Sequence, residues 1–166
     1  MRTLIGVVGY RNLGDLSIGP NLLTALEALD WDPGIEIDDL SYGPIAVVQN
    51  LEDRSPYDRM VFLSGAQRGR EPGRIYRIER RQELPSEEEI QARIAEAVTG
   101  VIDLDNLLVI AQHFRVLADD IVVIEVEPVE FESGEFCSAA VTALIPEILE
   151  MVRAEAHGRT HSSSTR

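Results

Sequence analysis

The feature that most constrains the fold is a series of short apolar segments separated by stretches with helical spacing. Residues 3–9 (TLIGVVG) form an apolar run that ends in glycine, and residues 58–63 (DRMVFL) and 120–126 (DIVVIEV) form two more. Runs of this length without regular polar alternation are typical of strands buried on both faces of a parallel sheet. We predict that these three segments are the buried strands of such a sheet.

Two further segments complete the predicted sheet. Residues 35–38 (IEID) are short, contain two isoleucines and form a second predicted strand. Residues 73–80 (GRIYRIER) alternate polar with apolar side chains, as a half-exposed edge strand does. The sequence therefore predicts about five strands, one of them at an edge.

Helical segments lie between the predicted strands. Ser86 and Glu89 form a capping box at the start of the clearest of these helices, and Gly100 ends it. Pro146 is expected to bend the last helix. Strands that alternate with helices predict an α/β fold, a three-layer α/β/α sandwich around a mostly parallel sheet. The other predicted helices cover residues 18–30, 43–53, 103–116 and 141–152.

The length of 166 residues fits one domain with one sizeable core. We predict a single domain over residues 1–156 and a disordered tail over residues 157–166 (HGRTHSSSTR), in which His157 and His161 have no fixed partners. No apolar run approaches the ~18 residues of a membrane-spanning helix. The N-terminus lacks the pattern of a signal peptide, so we expect a cytoplasmic protein without a membrane partner.

The charge distribution excludes several classes of function. The chain carries 29 acidic and 15 basic residues, for a net charge of −14, and every basic residue is arginine. The absence of lysine excludes a P-loop phosphate cradle and a Schiff base. An acidic chain without a basic stripe is also a poor binder of nucleic acid. The single Cys137 excludes a disulfide framework and a thiolate metal cluster.

Ligands of open α/β sheets bind at the carboxyl ends of the strands, near the point where the strand order reverses. The segments that follow the predicted strands and helices at that end are therefore the candidate site. They cover residues 9–17, 64–72, 99–103 and 127–137.

These segments carry motifs in a recognisable order. Residues 9–20 (GYRNLGDLSIGP) follow the first strand, residues 72–73 form a proline–glycine turn, and residues 127–128 (EP) follow the last strand. Gly134 and Ser138 precede the final helix. Taken together, the pieces resemble the motifs of the hydrogenase maturation endopeptidases, and the resemblance extends over nearly the whole predicted domain.

The resemblance implies a function and a partner. Members of this family cut a C-terminal extension from the precursor of the nickel-iron hydrogenase large subunit after nickel has been inserted. They are thought to recognise that nickel, which belongs to the substrate, through two carboxylates and a histidine at the strand ends. The implied partner is therefore the large-subunit precursor, with no metal cofactor retained by the protein itself.

The three ligand positions of the family carry no strong metal donors here. The first is Leu16, the second is Ser64, and the region of the third, residues 99–102, contains Gly100 but no histidine. Leucine and glycine side chains cannot coordinate a metal, and a serine hydroxyl is a weak neutral ligand. We therefore predict a degenerate metal site in which proteolysis is doubtful.

The other residues around the predicted cleft have two interpretations each. Asp15 is either a polar contact in the cleft or a turn residue. Ser64 and Gly65 begin either a peptide-binding rim or a solvated loop. Glu127 either lines the cleft or accepts hydrogen bonds from a neighbouring loop.

Three hypotheses about function follow. The chain is an endopeptidase with a remodelled site, or a non-catalytic chaperone or regulator that binds the large subunit, or an unrelated α/β protein whose motifs match by accident. The missing ligands are what the second hypothesis expects, because each lost donor removes coordination energy without a replacement.

Overall fold

The structure is a computed structural model that describes residues 1–54, 56–81 and 83–158. Most of the predicted tail, including His161, lies outside the described residues. His157 lies inside them, and the prediction that it has no fixed partner is wrong. Its Nδ1 is 2.7 Å from the carbonyl oxygen of Arg153, its Nε2 is 3.1 Å from a carboxylate oxygen of Asp32, and its ring stacks on Trp31.

The described residues form one five-stranded sheet in the order β2-β1-β3-β5-β4. Only β4 is antiparallel to its neighbour, and it lies at an edge. Both features confirm the predicted mostly parallel sheet with a half-exposed edge strand. The strands are β1 (Thr3–Val8), β2 (Ile35–Asp39), β3 (Arg59–Gly65), β4 (Ile75–Arg80) and β5 (Asp120–Val126).

Helices cover both faces of the sheet, which confirms the three-layer sandwich. They are α1 (Ile18–Asn21), α2 (Leu23–Glu27), α3 (Pro44–Glu52), α4 (Glu87–Val98), α5 (Leu104–His113), α6 (Ala139–Thr142) and α7 (Ile145–Ala156). Alternate residues of each central strand point to opposite layers. Met60 and Phe62 of β3 pack with α3 and α5, whereas Val61 and Leu63 pack with α1, α2 and α7.

Two helices differ from their predicted form. The segment predicted at residues 18–30 is interrupted at Leu22 and ends at Glu27. The last helix is divided into α6 and α7 rather than bent, and Pro146 lies in the first turn of α7. Proline lacks the N–H that would bond to the carbonyl of Thr142, so α6 ends there, and at the start of α7 the missing donor costs nothing.

The connections between strands define where a ligand can bind. From β1 the chain crosses to β2 on one side, and from β2 it returns past β1 to β3 on the other side. The strand order therefore reverses between β1 and β3, and the loops after these two strands diverge at their carboxyl ends. Among the described residues, no helix is both long and apolar enough to cross a membrane.

Candidate functional site

A cleft of about 190 Å³ opens at the carboxyl ends of β1 and β3, where the strand order reverses. Its wall consists of the loop after β1, the end of β3 with the loop that follows, and the start of α5. The lining residues are 9–10, 16, 64–68 and 102–105.

Three of the residues predicted at the cleft rim lie together in its lining. Leu16 contributes from the loop after β1, and Ser64 and Gly65 contribute from the end of β3. Ser64 is 2% exposed, and its hydroxyl donates to the adjacent carbonyl of Gly65 at 3.3 Å. Gly65 lies so close to the loop after β1 that a Cβ there would be 2.6 Å from the carbonyl oxygen of Asp15.

Gly100 is outside this lining. It follows the last turn of α4 with a φ of +86°, and a Cβ at this position would meet open space. Ile102 reaches the cleft instead, and its N–H donates to the hydroxyl of Tyr10 at 3.2 Å. Gly100 therefore has the role of a helix-ending residue, which its left-handed conformation favours.

Asp15 is fully buried and its carboxylate points away from the cleft into the loop after β5. One oxygen accepts hydrogen bonds from the N–H groups of Val129 and Glu130 at 2.9 and 2.8 Å. The N–H and hydroxyl of Ser138 donate to the carboxylate at 2.7 and 2.9 Å. With these donors around it, the carboxylate has a structural role and connects the first loop of the sheet to the last one.

Glu127 is also buried, and it anchors the loop after β3. Its carboxylate accepts hydrogen bonds from the N–H groups of Arg68 and Gly69 at 2.8 and 3.0 Å, and from Arg70 Nε at 2.9 Å. Burial by itself raises the pKa of Glu127, but the bonds from Arg68 and Arg70 outweigh it and hold the pKa below its usual value. The loop-anchoring interpretation of Glu127 thus has direct geometric support.

An arginine clamp, formed by Arg68 with Asp105 and Glu125, crosses one side of the cleft. The guanidinium makes paired contacts with both carboxylates, at 2.9 and 2.9 Å to Asp105 and at 2.8 and 2.6 Å to Glu125. Bonds to Glu125 and Asp105 raise the pKa of Arg68, which keeps it charged. Arg70 adds a second contact to Glu125 at 2.9 Å and stacks over the ring of Tyr76. The clamp fixes the loop after β3 against α5 and β5.

These residues do not fit a divalent metal. Leu16 has no donor, Ser64 offers a neutral hydroxyl, and the carboxylates of the arginine clamp are already occupied by a fixed positive charge. Asp103 is the other carboxylate in the lining, and its Oδ1 already accepts a hydrogen bond from the Asn106 N–H at 2.7 Å at the start of α5. Among the residues that the structure describes, no group of three or more histidine, cysteine, aspartate or glutamate side chains could hold a metal ion.

Arg68 lies within the segment 64–72 that the sequence predicts at the candidate site, but the sequence does not reveal the clamp that it forms. Asp105 is the second residue of α5 and carries no motif that distinguishes it from a charge in the first turn of a helix. Glu125 and Glu127 lie two residues apart, which predicts that both project from the same side of β5. That spacing is the one sequence feature that points to this cluster, and it does not indicate which arginines pair with the two carboxylates.

Cys137 is half-buried beside this region. Burial raises the pKa of its thiol, and the donor group of Asn21 offsets this only in part. A thiol with a raised pKa is a poor nucleophile at neutral pH. The Cys137 side chain packs against the apolar cluster that includes Ile18 and Val141.

Acid should remove the contribution of Glu127 to stability. Because its folded pKa is lowered, the contribution is present above the ordinary value of 4.5 and is lost as the pH falls through the folded pKa. We expect Glu127→Gln to lower the free energy of unfolding by about 2 kcal/mol near pH 7, since a buried charged acceptor is lost. The deficit should shrink below about pH 4. Urea titrations of both proteins at each pH measure it, and a deficit independent of pH would contradict the assignment.

The five-stranded sheet and its cleft define the class of protein: a three-layer α/β protein with a cleft at the carboxyl ends of parallel strands, where ligands of such sheets bind. More particularly, the fold is that of the hydrogenase maturation peptidases. The hydrogenase 2 maturation peptidase from a Thaumarchaeota archaeon matches with a TM-score of 0.66 and 23% identity, over 95% of this chain and 99% of that one.

Two further solved structures support the same fold. The hydrogenase maturating endopeptidase HybD from E. coli matches with a TM-score of 0.68 and 22% identity, over 92% of this chain and 90% of that one. The [NiFe] hydrogenase maturation protease HybD from Thermococcus kodakarensis has a TM-score of 0.63 and 19% identity, over 94% of this chain and 99% of that one. No protein-family model matches the sequence, and no curated protein matches it significantly.

Proposed function

We propose that this chain is a hydrogenase maturation protease-family protein that acts on the large-subunit precursor of a nickel-iron hydrogenase by binding it without metal-dependent cleavage. The observation that carries the proposal is the composition of the cleft. The fold is that of a maturation peptidase, but Leu16 and Ser64 stand at two of the positions where the resemblance requires metal donors, and Arg68 is paired with the nearby carboxylates of Asp105 and Glu125.

The role that fits this arrangement is that of an assembly chaperone or regulator in the cytoplasm. Nickel, in this proposal, belongs to the bound precursor, and the protein retains no metal of its own. An apolar side chain and a neutral hydroxyl in the cleft can contact a peptide segment, but they cannot supply the coordination energy that recognition of a metal ion requires. Binding would therefore depend on the peptide rather than on the nickel.

A second candidate is a working endopeptidase with a remodelled site. The favourable observation is that the structural likeness to the maturation peptidases extends over nearly the whole chain, and this chain has a cleft at the switch point of its sheet. On that alternative, the precursor itself would have to supply the groups that Leu16 and Ser64 lack.

Native mass spectrometry of the protein mixed with a nickel-loaded large-subunit precursor tests the proposal. We expect an intact complex whose precursor keeps its C-terminal extension, because Leu16 and Ser64 offer no strong donor for nickel and Asp105 is paired with Arg68. A nickel-free precursor should bind with similar affinity, and a precursor without the extension serves as the second control. Release of the extension would establish the endopeptidase instead. Absence of any complex would exclude both candidates.

A further inference from the structure

The loop after β5 exposes an unusual concentration of apolar side chains. Val129, Phe131 and Phe136 are 42%, 41% and 79% exposed. We name residues 129–136 the acidic-aromatic loop. Exposed apolar groups that cluster on one segment mark interaction surfaces more often than the same groups scattered singly.

The backbone of the acidic-aromatic loop is fixed rather than free. Gly134 exchanges hydrogen bonds with the loop after β1, accepting from Gly14 and donating to Asn12, each at 3.0 Å. The Asp15 carboxylate accepts from Val129 and Glu130, and the Asp15 N–H donates to the Glu130 carbonyl at 2.8 Å. The exposed rings are therefore presented on a preorganised backbone, which lowers the entropy lost when a partner binds.

Acidic side chains alternate with the apolar ones along this loop. Glu130, Glu132 and Glu135 are exposed, and their carboxylates make no hydrogen bond or ion pair with the part of the chain that the structure describes. A groove of about 480 Å³ lies among these residues, lined by Gly14, Val129, Glu130, Phe131, Glu132, Ser133, Gly134 and Phe136. The surface thus combines a concavity, apolar contact area and unpaired negative charge.

We propose that the acidic-aromatic loop docks a cationic peptide segment in which an apolar side chain is flanked by arginine or lysine. The apolar side chain occupies the groove beside Phe131 and Phe136, and the flanking cations pair with the surrounding carboxylates. Aromatic anchors of this kind supply most of the binding free energy, whereas the charges at the rim set specificity and the rate of association. The net charge of −14 favours the same partner class.

This surface is separate from the cleft, because its lining residues differ from those of the cleft throughout. The proposal therefore does not depend on the cleft being catalytic or on a hydrogenase partner. Its test contains no hydrogenase component, so its failure would leave the proposed function intact.

Fluorescence anisotropy with a labelled peptide in which arginine alternates with leucine tests the docking surface. We expect binding to the unmodified protein and at least about tenfold weaker binding to the Phe131→Ser, Phe136→Ser double variant. The triple variant Glu130→Gln, Glu132→Gln, Glu135→Gln should also bind more weakly and lose most of the salt dependence. Both sets of side chains are exposed, so folding should persist, and circular dichroism verifies it.

The matched control is the Leu84→Ser, Val98→Ser variant, which removes two exposed apolar side chains elsewhere, 72% and 83% exposed. It should bind the peptide as the unmodified protein does. Absence of peptide binding to the unmodified protein would overturn the proposal. Weaker binding in the glutamine triple variant without weaker binding in the serine double variant would also overturn it, because it would indicate attraction to an acidic chain in general. A dimer in sedimentation that dissociates in the phenylalanine variant would assign the surface to a second copy and overturn it as well.

Discussion

The alanine variant of Asp15 should lose about 3–5 kcal/mol of unfolding free energy. Three backbone N–H groups and one hydroxyl donate to this fully buried carboxylate. Each buried donor that loses its acceptor costs about 1–3 kcal/mol, and water reaches a closed site poorly. Urea denaturation followed by circular dichroism measures the loss.

Two control variants separate the hydrogen bonds of Asp15 from its charge. Asp119→Ala removes an exposed carboxylate and should change the unfolding free energy by less than about 0.5 kcal/mol. Asp15→Asn retains one acceptor oxygen, but its amide NH2 group would face the backbone N–H groups of the loop. Its free energy of unfolding should therefore be only slightly higher than that of Asp15→Ala. Equal stability of Asp15→Ala and the unmodified protein would show that the loop after β5 does not depend on this carboxylate.

Gly65→Ala is expected to cost about 2–3 kcal/mol. The added Cβ would lie 2.6 Å from the carbonyl oxygen of Asp15 and 3.0 Å from the Cα of Leu16. Both neighbours are backbone atoms, so the contact can be relieved only by moving the loop after β1 away from β3. Thermal and urea unfolding of the variant measure the cost, and the same movement should widen the cleft that Leu16 and Gly65 line.

The control for Gly65 is another glycine with room around it. At Gly134 the nearest atom to a built Cβ is 3.9 Å away, and the residue does not have a positive φ. Gly134→Ala should therefore change the unfolding free energy by less than about 0.5 kcal/mol, because alanine adds no clash. A similar loss in both variants would indicate that glycine flexibility, and not the close approach at residue 65, is the cause.

Much of the fold could be predicted because it depends on local patterns. The apolar runs at residues 3–9 and 120–126 correspond to β1 and β5, and the alternation at residues 73–80 corresponds to the antiparallel edge strand β4. The predicted N-cap at Ser86 is present, with its hydroxyl accepting from the Glu89 N–H. These features were accessible because periodicity and capping act over a few residues.

Part of the candidate site could be predicted for a topological reason. The carboxyl ends of neighbouring parallel strands lie at the same edge of the sheet, so the loops after β1 and β3 had to meet there. This places Leu16 beside Ser64 and Gly65 although about fifty residues separate them. Gly100 lies outside the cleft because it follows α4 rather than a strand, so the meeting of the strand ends does not bring it there.

The sequence by itself determined the layers, the edge strand and the place of the cleft, together with the absence of strong metal donors at Leu16 and Ser64. Only the tertiary structure decided how the charged residues are used. The arginine clamp joins the loop after β3 to α5 and β5, and Asp15 joins the first loop to the last one. Such contacts bring together residues from distant elements through flexible or buried side chains, and no periodicity in the sequence records which partner each of them meets.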